Sequence, residues 1–444
     1  MKNQWILLLL LTPSLLMAQI NGLTLAETRA NVLAGSPSVR QSLQRIAAAE
    51  AVLKQAHSAY FPTLSLKGSY GHIDSDTHPQ FDILNSLEVD FDQATVGVQA
   101  NWLLFDGFAR QARSLSAKYG VQASRELAAN TKRLLIQSAT VAFREAQLAK
   151  ENVQIAMQDY RFNMNLESDA KKRFTAGTLP EADVHNFSIQ ALRAENSALA
   201  YKLSYETACT VLAELMALSD ARLPEAMRPI AINFDERGTV PDLDDELEYA
   251  LLNRPDLKAL QSGLLSLDQR VRALKGDHLP RVMLVGEANY AENDGLSGVP
   301  SYDDQDSFVG VVAKWDLFSG GRKINAVKEA EASSYEAQEH LDALILSIRS
   351  VLLQQIDTAE TTQAVFVRQH KIRDLSVSVR NSVEKAYKVG AVSVTRLNEA
   401  QTDLVRARCT YTSAYIMYQL VLNQLDVETG RVLAGIKGAN HENR

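Results

Sequence analysis

The chain has 444 residues, of which 7% are aromatic and only 11 are proline, and its formal net charge is −7 at pH 7. A negative chain gives no electrostatic reason to bind nucleic acid, so we exclude a nucleic-acid partner. Long stretches rich in Ala, Leu, Gln, Glu and Arg are typical of long helices rather than of several compact domains.

The N-terminus has the layout of a secretory signal peptide. Lys2 precedes an apolar run from Ile6 to Leu11, and the small residue Ala18 follows. This arrangement predicts a signal peptide over residues 1–18. After it, no run approaches the roughly 18 apolar residues that a membrane-spanning helix needs, so we expect any membrane segment to consist of strands.

The chain repeats itself at a nearly constant offset. Residues 102–107 read WLLFDG and residues 315–320 read WDLFSG, 213 positions apart (315 − 102). Pro62 and Pro280 are 218 apart (280 − 62), so the second copy is shorter within a loop. We therefore expect each half to be one structural unit. The expected divisions are a first repeat over residues 19–218, a linker over 219–242, a second repeat over 243–430 and a C-terminal tail over 431–444.

Each half contains two segments with the period of a membrane strand. Leu64, Leu66 and Tyr70 fall on one face of the first segment and polar residues on the other. Alternation over about ten residues that ends near an aromatic residue is typical of outer-membrane strands. The pattern predicts strands over about 62–72, 93–104, 280–291 and 306–317, and it is less regular in the second half.

The repeated Trp motif marks the change from strand to helix. We expect Trp102 and Trp315 at a bilayer interface, with Asp106 and Ser319 as helix N-caps. The backbone freedom needed at the bend comes from the glycines that follow these two caps, Gly107 and Gly320.

Prolines mark the opposite change, from helix to strand. Pro62 and Pro280 stand where a rising helix should end and a strand begin, since proline ends a helix and is tolerated at the first position of a strand. Pro37 and Pro255 are expected to open the preceding helices, in the first turn.

Two very long helices follow the strands. The 70 residues from Gly107 to Gly177 lack proline, as do those from Gly320 to Gly390, and at 1.5 Å per residue such a helix would measure roughly 100 Å. Apolar residues recur at intervals of seven, from Leu127 and Leu134 in the first long segment and from Val184 and Leu397 in the two return segments. This spacing predicts antiparallel coiled coils of the long helices with the return helices. The predicted long helices cover about 107–176 and 320–389, and the return helices cover about 179–217 and 392–429.

Four strands per chain are too few to close a barrel, because the smallest membrane barrels have about eight. Open strand edges in lipid would leave backbone groups unsatisfied. The chain must therefore form an oligomer, and the strand count alone leaves a dimer, a trimer and a tetramer open.

The duplicated order, the two Trp motifs, the prolines before the strands and the Tyr387-to-Leu397 turn resemble the outer-membrane efflux proteins of the TolC family. The resemblance covers the chain from about Leu23 to Gly430. It implies a mainly α fold with a membrane β-barrel, in which a homotrimer forms a twelve-stranded barrel joined to a periplasmic α-helical barrel. The implied location is the outer membrane of a Gram-negative bacterium, with a long periplasmic portion.

The resemblance also implies a function. Members serve as passive exit ducts of tripartite efflux systems and contact outer-membrane lipid, a periplasmic adaptor protein and an inner-membrane transporter. Type I protein secretion uses the same family and is an alternative. A different class, a periplasmic coiled-coil scaffold without a pore, is the competing interpretation of the heptads, and it predicts extraction into buffer without detergent.

The family closes its tunnel at the periplasmic tip, where Gly177 and Gly390 would form the turns. The resemblance implies a closing contact between Tyr387 and Asp183. Val392 stands where relatives often carry arginine, which removes one closing interaction. Where acidic residues often line the narrowest ring, this chain has Arg396 and Glu399, and such a mixed ring is expected to weaken cation selectivity.

Nothing in the sequence indicates an enzyme. The eight histidines are scattered, and no glycine-rich phosphate loop is present. We expect no catalytic residue, no cofactor and no metal. Cys209 and Cys409 are expected to be unpaired. The acidic residues of the strand-to-strand loops are interpreted as solvated surface rather than as a calcium site; they are Asp74, Asp76, Asp303, Asp304 and Asp306.

Overall fold

The computed structural model describes residues 22–77, 87–234, 238–294 and 301–434. The expected signal peptide and residues 435–444 of the expected tail lie outside this part of the chain. The described helices and strands are α1 (Leu25–Gly35), α2 (Pro37–Ser58), β1 (Thr63–Thr77), β2 (Leu87–Phe105), α3 (Ala109–Thr175), α4 (Glu181–Leu215), α5 (Leu243–Asn253), α6 (Pro255–Gly276), β3 (Arg281–Asp294), β4 (Tyr302–Lys314), α7 (Arg322–Lys388) and α8 (Val394–Thr429).

The element order is duplicated, as the sequence predicts. Three pairs of helices match in length between the two copies: 11 residues in α1 and α5, 22 in α2 and α6, and 67 in α3 and α7, while the return helices α4 and α8 have 35 and 36. Pro37 and Pro255 are the first residues of α2 and α6, where the fixed φ of proline suits a helix start and its missing N–H costs nothing.

The four strands form one antiparallel sheet in the order β1-β2-β3-β4. Thr63 lies opposite Asn101 in the first hairpin, and Arg281 lies opposite Lys314 in the second. These two pairs are related by the repeat offsets of 218 and 213 (281 − 63 and 314 − 101). The two hairpins therefore have the same register.

The strands extend beyond the alternating segments at the hairpin ends. Asp74 pairs with Asp90 in the first hairpin, and Asp304 pairs with Ala291 in the second. Our placement of the acidic residues in loops is therefore corrected: Asp74, Asp76, Asp303, Asp304 and Asp306 lie within strands. Alternation fails to detect these ends because the backbone ladder continues where both faces of a strand are polar.

The fourth strand ends earlier than the sequence suggests. β4 stops at Lys314 instead of continuing to about residue 317, so Trp315 lies just past it. The reason is that β3, the one neighbour of β4 in the described sheet, begins at Arg281 opposite Lys314. No ladder partner remains for the residues that follow.

The chain divides into two compact units, and neither is one repeat. One unit comprises residues 1–37, 134–242 and 354–427, and the other comprises residues 38–133, 243–353 and 428–444. Each takes segments from both halves, because α3 and α7 contribute residues to both units. The repeat seen in the sequence is seen again in the order of the elements.

The heptad pattern predicts burial well in the return helices and poorly in the long ones. The predicted stripes of the return helices are buried; they are Val184, Ala191, Ala198, Tyr205 and Leu212 in α4, and Leu397, Leu404, Tyr411, Tyr418 and Leu425 in α8. In α3, by contrast, Leu127 and Leu134 are exposed, whereas Ala139, Ala142 and Ala146 are buried. Small residues fill the buried positions because they let helices approach closely. Cys209 and Cys409 are free thiols, as expected.

Candidate functional site

The first strand–helix junction is held by a tryptophan. The indole N–H of Trp102, near the end of β2, donates a hydrogen bond of 3.0 Å to the backbone carbonyl of Tyr60. Tyr60 lies between the end of α2 and Pro62, which directly precedes β1. Trp102 is 43% exposed, so one part of the ring is fixed while another faces outward.

The second junction repeats this contact. The indole N–H of Trp315 donates to the carbonyl of His278 at 2.9 Å, and Trp315 is 58% exposed. Tyr60 and His278 each stand two residues before the strand-opening proline, Pro62 or Pro280. The bond was missed in the sequence analysis, although its signal, a constant spacing from each proline, is present in both halves.

Only one of the two expected N-caps is made by a side chain. The buried Asp106 carboxylate accepts the backbone N–H of Arg110 at 2.7 Å, which satisfies a free donor at the start of α3. At the equivalent place, the carbonyl of Ser319 accepts the N–H of Arg322 at 3.1 Å, and its hydroxyl caps nothing within the described chain. A serine hydroxyl is shorter than a carboxylate and does not reach the fourth residue.

The two bend glycines have the same backbone but different surroundings. Gly107 and Gly320 have φ angles of 67° and 60°, in the left-handed region that favours glycine. A Cβ on Gly107 would lie 2.3 Å from the carbonyl oxygen of Gly276, whereas one on Gly320 would meet nothing within 4 Å. Gly107 is therefore needed for close backbone approach as well as for conformation.

The two helical hairpins turn at the expected glycines. Gly177 and Gly390 have φ angles of 72° and 76°. The N–H of Thr178 donates to the Arg173 carbonyl and the N–H of Ala391 to the Ala386 carbonyl, each at 2.9 Å. These bonds close the last turns of α3 and α7 as in a left-handed C-cap.

Within the first compact unit, the two turns share one apolar cluster, which we call the tip cluster. Its buried members are Ala170, Val184, Phe187 and Val394, and Tyr387 packs against it. The rings of Phe187 and Tyr387 meet edge to face at 6.0 Å, and the Arg173 guanidinium lies 5.8 Å from the Tyr387 ring centre. Phe187 and Arg173 were not singled out from the sequence, because their contact depends on how the two hairpins pack.

Tyr387 and Asp183 are close but form no hydrogen bond in the described residues. Tyr387 lies in the last turn of α7 and Asp183 in the first turn of α4. Burial raises the pKa of Tyr387, Arg173 opposes this effect, and the Asp183 and Asp169 charges raise the pKa further. Within one chain, Asp183 is thus an electrostatic neighbour of Tyr387 and not its acceptor.

Arg396 and Glu399 pair with each other. Their guanidinium and carboxylate are 3.1 Å apart near the start of α8, and the side chains are 55% and 56% exposed. An exposed pair of this kind contributes little to stability. The half-buried Val392 precedes them in the turn.

In the part of the chain that the structure describes, no group of three or more His, Cys, Asp or Glu side chains could hold a metal ion. None of the helices described has a stretch that is both long and apolar enough to cross a membrane.

Comparisons with known proteins agree with this architecture. The family model described as "Outer membrane efflux protein" matches residues 29–218 and 247–431, once in each half. The chain is 23% identical over 414 residues to the outer membrane protein TolC of Vibrio cholerae, covering 89% of this chain and 90% of that protein. It is 22% identical over 380 residues to the outer membrane efflux protein BepC of Brucella suis, covering 85% and 79%.

A solved structure has the same fold. The outer-membrane channel OprN superposes with a TM-score of 0.77 at 18% identity, covering 91% of this chain and 89% of that one. Because the matched family ranges cover most of both halves, this chain belongs to the outer membrane efflux protein family, the TolC family indicated by its motifs, and lies in the outer membrane with a periplasmic extension.

Proposed function

We propose that three copies of the chain form the exit duct of a tripartite efflux or export system. Four strands from each copy make a twelve-stranded β-barrel in the outer membrane, and the helices make a periplasmic α-helical barrel. The duct is passive, and it docks an inner-membrane transporter through a periplasmic adaptor protein.

The open edges of the sheet carry this proposal. β1 and β4 are the outer strands, and each has one neighbour within the described chain. In lipid, an unpaired edge leaves backbone N–H and C=O groups unsatisfied. Pairing between copies removes both edges at once, and three copies is the number that the family resemblance implies.

The exposed side chains of the sheet support a lipid-facing surface. Leu64, Leu66 and Tyr70 of β1 project from one face of the sheet, and Val309 and Val311 of β4 are exposed as well. Apolar residues in such number on one sheet are unusual for a surface in water. A periplasmic scaffold without a pore would not require exposed apolar side chains on its sheet.

For the periplasmic end, we propose that the turns at Gly177 and Gly390 form the closing tip. The contact between Phe187 and Tyr387 holds the two hairpins of one copy together there, with Arg173 beside the ring. Asp183, Arg396 and Glu399 place charges of both signs at this tip.

Three experiments test the duct. Purified protein in planar bilayers should produce discrete conductance steps. A strain that lacks the gene should accumulate a dye, and expression of the gene from a plasmid should restore efflux of that dye. A photo-crosslinking residue at the exposed turn position Ala391 should capture the periplasmic adaptor, whereas one at exposed Thr210, near the other end of α4, should not. Absence of conductance with folded oligomers present would refute the proposed duct.

A further inference from the structure

A carboxylate and an amide join the two helical hairpins of one chain within the first compact unit. Asp159 lies on α3, 16 residues before its last residue (175 − 159), which is about 24 Å along the helix. The Nε2 of Gln401, near the start of α8, donates a hydrogen bond of 2.7 Å to Asp159 Oδ1. Since α3 leads to the turn at Gly177 and α8 follows the turn at Gly390, this bond connects the two hairpins.

This contact leaves one buried hydrogen-bonding atom unused. Asn163, one turn later on α3, donates its Nδ2–H to the same Asp159 Oδ1 at 3.0 Å, so both bonds reach one oxygen of the carboxylate. Gln401 and Asn163 are only 7% and 5% exposed. The Oε1 of Gln401 is buried and has no hydrogen-bond partner within the described residues. Because folded proteins pair nearly all such atoms, this one requires an explanation.

A proton on Asp159 supplies the missing partner. An ionised carboxylate only accepts hydrogen bonds, so it cannot bond to Gln401 Oε1. A protonated carboxyl group has one O–H donor besides its accepting oxygen, and a primary amide has the complementary acceptor and donor. The two groups can therefore exchange two hydrogen bonds, from Nε2–H to Oδ1 and from Oδ2–H to Oε1.

We propose that Asp159 and Gln401 form a proton-dependent contact between the two hairpins, which we call the acid–amide pair. In acid, Asp159 Oδ2–H donates to Gln401 Oε1 while Oδ1 still accepts from Nε2. Transfer of the proton to water removes the first bond and leaves a carboxylate in the half-buried contact between α3 and α8. The acid–amide pair thus holds the hairpins together more strongly in acid and favours a closed tip, a last step that rests on the proposed function.

The surroundings of Asp159 favour the protonated form. Burial raises the pKa of Asp159, and the hydrogen bonds from Gln401 and Asn163 lower it by less. No cationic side chain among the described residues contributes to this pKa. The carboxyl group is therefore protonated at a higher pH than an exposed aspartate.

Two neutral groups face the acid–amide pair. Burial raises the pKa of the Cys409 thiol on α8, against the effect of a hydrogen bond with Tyr201, and the charges of Asp159 and Glu151 raise it further. Burial also raises the pKa of Tyr201 on α4. Both groups therefore keep their protons at pH 7 and add no charge beside Asp159.

The charged groups nearby act on one another. Glu151, about two turns before Asp159 on α3, has a pKa that burial raises and the positive charge of Arg408 on α8 lowers in part. From α7, Arg373 and Arg380 act electrostatically on Arg408. None of these arginines contributes to the pKa of Asp159. The state of the acid–amide pair therefore depends on the titration of Asp159.

Asp159→Asn tests the contact, because asparagine has the shape of the protonated acid and presents both a donor and an acceptor to Gln401. A carboxyl group whose pKa is raised by folding stabilises the protein below its unfolded pKa, and this contribution is lost as the pH rises through the folded pKa. We expect Asp159→Asn to unfold about 2–4 °C above the unmodified protein at pH 7. The difference should vanish as the pH falls to about 4. Far-ultraviolet circular dichroism in detergent follows the unfolding of the helices.

Two matched variants show whether the effect belongs to the acid–amide pair. Asp169→Asn changes a carboxylate of α3 whose side chain is 71% exposed, and it should give no pH-dependent difference. Asp159→Leu has the shape of Asp159→Asn but no donor or acceptor, so it should unfold at a lower temperature than Asp159→Asn at every pH. Equal unfolding temperatures of Asp159→Asn and the unmodified protein at every pH, or of Asp159→Asn and Asp159→Leu, overturn the contact.

Conductance in planar bilayers tests the effect on the tip separately. At pH 7 the Asp159→Asn channel should be open at most half as much of the time as the unmodified channel, and at about pH 4 the two should agree. Equal open times at pH 7, with the difference in unfolding temperature present, would overturn the effect on the tip and keep the contact. If neither channel conducts, the duct is refuted, whereas the unfolding temperatures still decide the contact.

Discussion

The indole N–H of Trp102 donates a 3.0 Å hydrogen bond to the backbone carbonyl of Tyr60, and so ties the end of β2 to the segment between α2 and β1. Trp315 and His278 form the same bond, at 2.9 Å, in the second repeat. The Trp motif therefore recurs because each strand pair is joined to the preceding helix segment by the same indole-to-carbonyl hydrogen bond.

Replacing either tryptophan by phenylalanine keeps the ring but removes this donor. We expect Trp102→Phe and Trp315→Phe each to cost about 1 kcal/mol, because the carbonyl of Tyr60 or His278 loses its partner. Thermal unfolding in detergent, followed by circular dichroism, measures the loss. No change in either variant would show that the bonds are not formed in the assembled protein.

The same variants report on the membrane interface. With the expected signal peptide removed, each variant retains one tryptophan, so its fluorescence comes from a single site. We expect brominated lipids to quench the fluorescence of the remaining tryptophan in both variants, since Trp102 and Trp315 are partly exposed beside the strands. If neither is quenched, the placement of the junctions at the bilayer interface is contradicted.

The two bend glycines, Gly107 and Gly320, occupy equivalent positions in the two repeats, so substitutions at them can be compared directly. Gly107→Ala and Gly320→Ala both place a side chain in a left-handed conformation, at a cost of about 1–2 kcal/mol. Gly107→Ala also forces a Cβ against the Gly276 carbonyl, whereas Gly320→Ala meets open space. The amount of folded protein in outer-membrane fractions should fall much more for Gly107→Ala, and equal losses would refute the role of close approach.

The sequence predicted the junctions and turns better than it predicted the buried seams. Pro37, Pro255, Gly177 and Gly390 act through fixed local backbone preferences, which a single sequence reveals. Burial of Ala139 and exposure of Leu127 depend on which neighbour each face of a long helix meets, and a seven-residue repeat does not specify the neighbour. The Phe187–Tyr387 contact was missed for a related reason, since it joins residues of two hairpins.

The tip cluster predicts different effects for two substitutions of one residue. Tyr387→Phe keeps the ring that meets Phe187, so conductance in planar bilayers should change little. Tyr387→Ala and Phe187→Ala remove an aromatic contact of about 0.5–1.5 kcal/mol in every copy, so they should raise the conductance several-fold. A large increase for Tyr387→Phe or for Asp183→Ala would indicate instead that the hydroxyl bonds to Asp183 in the trimer.

A buried charge network predicts sensitivity to acid. Asp256 contacts the buried guanidinium groups of Arg254 at 2.7 Å and of Arg133 at 3.2 Å. Burial opposes ionisation of Asp256, but the hydrogen bond from Arg254 and the two positive charges together outweigh it and hold its pKa below the usual value. The stabilisation is therefore complete above about pH 4 and is lost as the pH falls through the lowered pKa.

Asp256→Asn tests this network. At pH 7 the variant should be less stable by about 3 kcal/mol, because the two buried guanidinium groups are then left with Glu428 as their one remaining carboxylate partner in this network. Its stability should fall less than that of the unmodified protein between pH 5 and pH 3, as followed by far-ultraviolet circular dichroism. If the stability of Asp256→Asn and that of the unmodified protein fall equally over this pH range, ionised Asp256 does not stabilise the fold in the way proposed.

The central claim is that the open four-stranded sheet of one chain closes only in a trimer. The detergent-corrected mass of the purified mature protein, from light scattering or sedimentation, tests it most directly. We expect three copies per particle, whereas a monomer, dimer or tetramer as the stable folded species would contradict the claim.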